Sequence, residues 1–234
     1  FDEASGNFQL NNYGNGGVGN DKVIALSQAG AGTGSPFFLN NAFFTPTPEG
    51  VAPFIAMFEW NTTTPNSDGS FANSIIVHEY GHGVSTRLTG GPANGNGLNA
   101  LQSGGMGEGW SDFWALAFSQ EIGDSAADRR TVGNFVLGET TAGAGIRRFP
   151  YSFDMTINPQ TFDDYNSAIA SNGVPNNEVH NSGELWAQTL WDMNWLLING
   201  INTPDCNGQT TPGYGFSNDF YDGGGGNNIA LQLV

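Results

Sequence analysis

Three histidines occur in the chain, His78, His82 and His180, and two of them frame His78-Glu79-Tyr80-Gly81-His82. On a helix, an i, i+4 spacing projects both imidazoles from one face, where they can reach a single zinc ion at about 2.0–2.1 Å. Glu79 is turned roughly 100° from His78 around such a helix, near the metal without ligating it. That position suits a base for a metal-activated water. A catalytic zinc takes three protein ligands and keeps one position open, so a third ligand is required. Downstream lies Gly107-Glu108-Gly109-Trp110-Ser111-Asp112. Glu108 can complete a His₂Glu set, and Asp112, one helical turn on, can accept the free N–H of a ligating imidazole. Taken alone, such an acidic pair reads equally well as a solvated helix face. His180 and Glu184 repeat the i, i+4 spacing but lack further ligands.

The elements that must carry these groups are legible in outline. Up to about residue 70 the chain reads as strands and turns, with strand-like runs at Phe8–Tyr13, Lys22–Ser27, Phe37–Phe44 and Pro53–Trp60. A helix is predicted over Phe71–Leu88, with Ser70 or Asp68 as its cap and Phe71, Ile75, Ile76 and Val77 toward the core. Further helices are predicted over Met106–Glu121, Arg129–Leu137 and Glu178–Ile198. The last carries Leu185, Trp186, Leu190, Met193, Leu196 and Leu197 at helical spacing. The expected fold class is α+β. Residues 1–90 would form a strand-rich lobe ending in the metal-binding helix, and residues 91–234 a mainly helical lobe. Gly81 and Gly83 inside the first helix each cost about 1 kcal/mol relative to Ala. Gly104, Gly105, Gly107 and Gly109 crowd the second. Such local conflicts concentrate at functional sites.

Composition narrows the function. The 234 residues carry 22 acidic against 6 basic side chains, a net charge of −16. Phosphate binding needs clustered Lys and Arg, so nucleic acid and anionic membrane surfaces are excluded as partners. The balance suits an extracellular protein, or one that binds calcium, with Asp163-Asp164 and Asp219/Asp222 as candidates. No apolar run approaches the ~20 residues that cross a bilayer. With 17 Phe and 6 Trp, the chain has the material for a packed core. Asn61-Thr62-Thr63 is an N-glycosylation sequon. Cys206 is unpaired, and in a secreted protein an odd cysteine points to a partner outside the chain. The start at Phe1 suggests processing or a fragment. The apolar stretch Asn228–Val234 suggests a further C-terminal segment that covers it.

The two motifs together, His78-Glu79-Tyr80-Gly81-His82-Gly83 and Gly104-Gly105-Met106-Gly107-Glu108-Gly109-Trp110-Ser111-Asp112, closely resemble the fungalysin family of secreted zinc metalloendopeptidases. The opening Phe1-Asp2-Glu3-Ala4-Ser5-Gly6-Asn7-Phe8 is similar as well, and the likeness to thermolysin-like peptidases is more distant. The resemblance implies a thermolysin-like fold with the zinc helix between a strand-rich and a helical part. It implies one zinc held by His78, His82 and Glu108, with Glu79 as base and Asp112 behind a ligating imidazole. By the same resemblance His180, within Val179-His180-Asn181-Ser182-Gly183, stabilises the transition state. Asn41 and Ala42, with Phe43, form a substrate-pairing edge strand, and Arg147 contacts the substrate. Protein or peptide substrates with an apolar residue after the cut are implied, with the enzyme's own propeptide as inhibitor.

The family pattern is broken in three places. No tyrosine lies between His82 and Glu108, which leaves Tyr80, Tyr151 and Tyr165 as candidates for a second oxyanion donor. Gly107 stands where relatives place an asparagine. Pro175 stands where an aspartate would precede the transition-state histidine, which leaves Asp163, Asp164 or Glu178 for that part. The alternatives are a zinc aminopeptidase and a non-catalytic secreted binding module.

Overall fold

The computed structural model describes residues 1–202, 204, 208–221 and 223–234. Cys206 and Asp222, singled out above, lie outside the described residues. The architecture is the α+β class expected. Five short strands come first: β1 (Ile24–Leu26), β2 (Ala42–Thr45), β3 (Phe54–Met57), β4 (Glu59–Trp60) and β5 (Ser67–Asp68). Then follow α1 (Asn73–Leu88), α2 (Leu101–Ala117), the short α3 (Asn134–Leu137) and the long α4 (Val179–Asn199). A small ribbon of β6 (Gly200–Ile201) and β7 (Thr211–Pro212) leads to α5 (Gly226–Leu233).

The main sheet has the order β1-β3-β2, with β1 parallel and β2 antiparallel to β3. Ala42 pairs with Met57 and Thr45 with Phe54, so β2 is an edge strand. Its side chains alternate as a pleated strand requires, Ala42 and Phe44 inward and Phe43 outward. Two apolar clusters flank α1. Phe8, Phe44, Ile55, Met57, Trp60 and Ile75 form the sheet cluster, and Phe113, Leu116, Trp191, Trp195 and Ile198 anchor the helical one. Ile76 packs toward the first and Val77 toward the second, so α1 is clamped between two cores.

Several local expectations give way to tertiary contacts. Phe8–Tyr13 is not a strand. Phe8 is buried, and the segment around it is pinned by Arg87, whose Nη1 donates to Gly6 O and to Asp21 Oδ2, both at 3.0 Å. Phe37–Phe44 is divided by a 3₁₀ turn at Pro36–Phe38, and Pro53–Trp60 divides into β3 and β4. Asp68 caps a 3₁₀ turn, Gly69–Phe71, and α1 starts only at Asn73. Phe71 is therefore 72% exposed and outside the core. The glycine-rich second helix begins earlier than predicted, at Leu101, and its glycines let it lie close against α4. A Cβ on Gly109 would meet Gly183 O at 2.7 Å. Only Asn134–Leu137 of the predicted third helix forms. Gly133 sits at φ 77°, and Arg130 pairs instead with Tyr151 through two backbone hydrogen bonds of 2.9 and 2.8 Å. On α4 the buried face runs through Trp191, Trp195 and Ile198, and Leu196 is on the open side. α5 packs on α4 with Ala230 buried and Leu233 exposed. Among the described residues no helix is long and apolar enough to cross a membrane.

Candidate active site

α1 presents His78, Glu79 and His82, and α2 crosses it with Glu108 and Asp112. The crossing is close because α1 has no side chain at position 81: a Cβ there would lie 2.9 Å from Ser111 Cα. α4 approaches α2 in the same way, since a Cβ on Gly183 would fall 2.5 Å from Glu108 Cβ. These contacts bring three ligand atoms together. His78 Nε2 lies 3.1 Å from His82 Nε2 and 3.2 Å from Glu108 Oε2, and His82 Nε2 lies 3.6 Å from Glu108 Oε1.

The protons identify what these atoms can bind. Asp112 Oδ1 sits 2.6 Å from His78 Nδ1, and a carboxylate only accepts, so Nδ1 carries a hydrogen and Nε2 is the nitrogen turned toward His82 and Glu108. Buried Glu108 Oε2 has no hydrogen-bond donor. Two imidazole nitrogens and a carboxylate converging on one point make a ligand set for a cation. A tetrahedral ion with bonds of about 2.0–2.1 Å spaces its ligands roughly 3.3 Å apart. The observed separations fit, and His78, His82 and Glu108 form a group able to hold a metal ion.

The electrostatics agree. Burial opposes charge on His78, yet the Asp112 and Glu108 carboxylates outweigh it and lift its pKa to about 10. The centre thus draws positive charge. Burial, reinforced by His78, lowers His82 to about 4, which keeps its imidazole neutral and able to ligate. Burial pushes Glu79 up to about 7, the range of a working general base. Burial works against the charged form of Asp112 too, but the Arg147 guanidinium and His78 hold it well below the usual carboxylate range.

A cleft of about 440 Å³ opens over the group, with Asn41, Ala42, Glu79, Ile146, Arg147 and His180 among its walls. Arg147 reaches the wall, but its buried guanidinium is committed to Asp112, with Nε 2.6 Å from Oδ2 and Nη2 2.8 Å from Oδ1. His180 stands at the start of α4 with its side chain 55% exposed and Nε2 3.7 Å from Glu108 Oε2. Its Nδ1 donates to Glu178 Oε1 at 2.8 Å, and Glu178 also caps α4 by accepting from the backbone N of His180 and Asn181. Glu178, not Asp163 or Asp164, is the carboxylate beside His180. Asp164 closes a capping box with Thr161.

None of the candidate tyrosines lines the cleft. Tyr80 packs edge-on against Phe8, Tyr165 lines a separate cavity beyond α2, and Tyr151 is buried with its hydroxyl on Asp112 Oδ2. Glu184 does not join His180 in a second metal site, because its carboxylate is taken by Arg148 at 2.8 Å. The Tyr151 contact is absent from the sequence reading, since no fixed spacing links residue 151 to residue 112. The Glu178 contact had a weak signal, an acidic residue just before a helix start.

Known proteins place this geometry in context. The family model described as Fungalysin metallopeptidase (M36) matches residues 1–234. Extracellular metalloproteinase 1 of Phaeosphaeria nodorum is 41% identical over 234 residues, all of this chain and 34% of that protein. Extracellular metalloproteinase MEP of Neosartorya fischeri is 46% identical over 198 residues, 85% of this chain and 28% of that protein. Extracellular metalloproteinase 4 of Trichophyton tonsurans is 44% identical over the same length. The chain therefore spans about a third or less of the length of these relatives. With a His78-His82-Glu108 group able to hold a metal ion and the family match running from end to end, the chain belongs to the fungalysin metallopeptidase family.

Proposed function

We propose that this chain is the metal-binding catalytic part of a secreted zinc endopeptidase that cuts internal peptide bonds. The observation that carries the reading is the convergence of His78, His82 and Glu108 beside Glu79, on the floor of a cleft bordered by the free edge of β2. His78, His82 and Glu108 hold the ion. Zinc bound there supplies a Lewis acid and lowers the pKa of its water toward ~7.

Glu79 takes the proton of the attacking water and passes it to the leaving amine. Its buried position keeps its carboxyl basic enough for both transfers. His180 donates its Nδ1 hydrogen to Glu178, which fixes the ring at the cleft wall, where an N–H on Nε2 stabilises a developing oxyanion. The outer edge of β2 at Asn41 and Ala42 offers backbone groups to an extended peptide by strand addition. Arg147 acts on the substrate side from the cleft wall while anchored on Asp112. Ile146 and Leu98 on the wall suit an apolar residue after the cut. By resemblance the propeptide inhibits the enzyme. The names of the relatives support secretion.

An aminopeptidase needs an acidic anchor for a free amine. Among the described residues the cleft wall has no carboxylate beyond Glu79 and Glu108, which favours the endopeptidase. The test is metal analysis of the full-length protein together with hydrolysis of N-blocked and free-amine peptides. One zinc per chain and cleavage of the blocked peptide, lost in 1,10-phenanthroline, are expected. Full activity in excess chelator, or cleavage of free-amine peptides only, overturns the reading.

A further inference from the structure

Asp112 is held by more than its histidine. Its two oxygens receive His78 Nδ1–H, two N–H groups of Arg147 and the hydroxyl of Tyr151. A carboxylate has about four acceptor sites, so this one is filled. Tyr151 reaches it from the helical core and does not line the cleft. Its ring belongs to the helical core cluster with Phe113 and Trp191, and it is 1% exposed. Its backbone is fixed on both sides by the hydrogen bonds to Arg130. A buried hydroxyl without a partner is costly, and here the partner is the carboxylate that sets the tautomer of a metal ligand.

We propose that Tyr151 is a positioning residue of the metal centre, holding the Asp112 carboxylate so that His78 Nε2 stays aimed at His82 and Glu108. The inference rests on the metal-site reading above. Arg147 alone cannot do this. A bidentate guanidinium fixes the carboxylate in its own plane, and Arg147 holds it from the cleft wall, not from the core. The tyrosine hydroxyl supplies a restraint on Oδ2 from the rigid core. Tyr151 takes no part in chemistry, because it does not line the cleft.

Tyr151→Phe keeps the ring and its packing and removes only the restraint. The zinc dissociation constant, measured by chelator competition on the full-length protein, should rise about 10-fold or more, as for other partners of metal-binding imidazoles. The downfield proton resonance of His78 Nδ1–H should shift or broaden in the metal-free protein. In an Asp112→Asn background the same substitution should add little, since the two act through one group. A purely structural tyrosine would lower the thermal midpoint and leave both readouts unchanged. A folded Tyr151→Phe protein with wild-type zinc affinity, or one whose loss is undiminished in Asp112→Asn, overturns the proposal. Absence of zinc binding in the unsubstituted protein would instead strike the metal-site reading on which it stands.

Discussion

Two adjacent arginines, Arg147 and Arg148, anchor two different parts of the site. Arg147 runs to Asp112 on α2, and Asp112 holds His78 directly. Arg148 runs to Glu184 on α4, with further bonds to Asn176 and to Asn181 O in the first turn of that helix. The first network ends on a buried histidine of the group able to hold a metal ion. The second ends on helix backbone, and the histidine beside it, His180, is half in solvent and tethered by Glu178. The same chemistry, a buried guanidinium on a carboxylate, thus does two jobs. A metal ligand needs a fixed nitrogen. The transition-state donor proposed above needs only a fixed helix end, and it keeps freedom to meet the substrate.

The largest effect tests the chemistry that both networks serve. Glu79→Gln should keep its zinc and lose turnover by about 10²–10⁴-fold, measured as kcat beside metal content. Loss of the metal would mean that Glu79 is a ligand. The two histidines should then behave differently. His78→Ala should lose zinc, whereas His180→Ala should retain it and drop kcat by about 10²–10³-fold with a smaller change in KM. If His180→Ala also releases zinc, the distinction between fixed ligand and tethered donor is wrong.

Arg147→Met and Arg148→Met each strand a buried carboxylate, and each should cost about 3–5 kcal/mol in denaturant unfolding. Only Arg147→Met should also weaken zinc binding. Equal loss of zinc affinity in both would merge the two networks into one.

The smallest effect concerns a carboxylate with no arginine. Asp192, on the same helix as Glu184, has the Gln188 amide as its partner, and burial raises its pKa from 3.8 to about 6. The folded state therefore favours the protonated acid. Its contribution to stability is fully present below pH ~4 and is lost as pH rises through about 6. Asp192→Asn should raise the thermal midpoint near pH 7.5 and leave it unchanged below pH 4. Because the group is only partly buried, solvent screening limits the gain to about 1 kcal/mol, or ~2–4 °C. A gain of the same size at both pH values would show that charge is not its cause.

Amino-acid spacing alone placed His78, Glu79 and His82 on one helix, and Glu108 with Asp112 on the next, because a helical period of about 3.6 residues turns i, i+4 into a shared face. It also marked the start of α4 and an α+β order of elements. Spacing carries no such information across elements. Whether Glu178, Asp163 or Asp164 would serve His180 depended on the capping geometry of α4. The burial of Phe8 depended on Arg87, and the loss of the helix predicted at Arg129 on the pairing of Arg130 with Tyr151. That Arg147 and Tyr151 would close on Asp112 was decided by the course of the chain after α3, and the approach of α1, α2 and α4 by close packing at Gly81 and Gly183, where there is no side chain. Local periodicity is written in the chain. The convergence of groups far apart in the sequence exists only once the cores on either side of α1 have formed, because only then are the distances between those groups set.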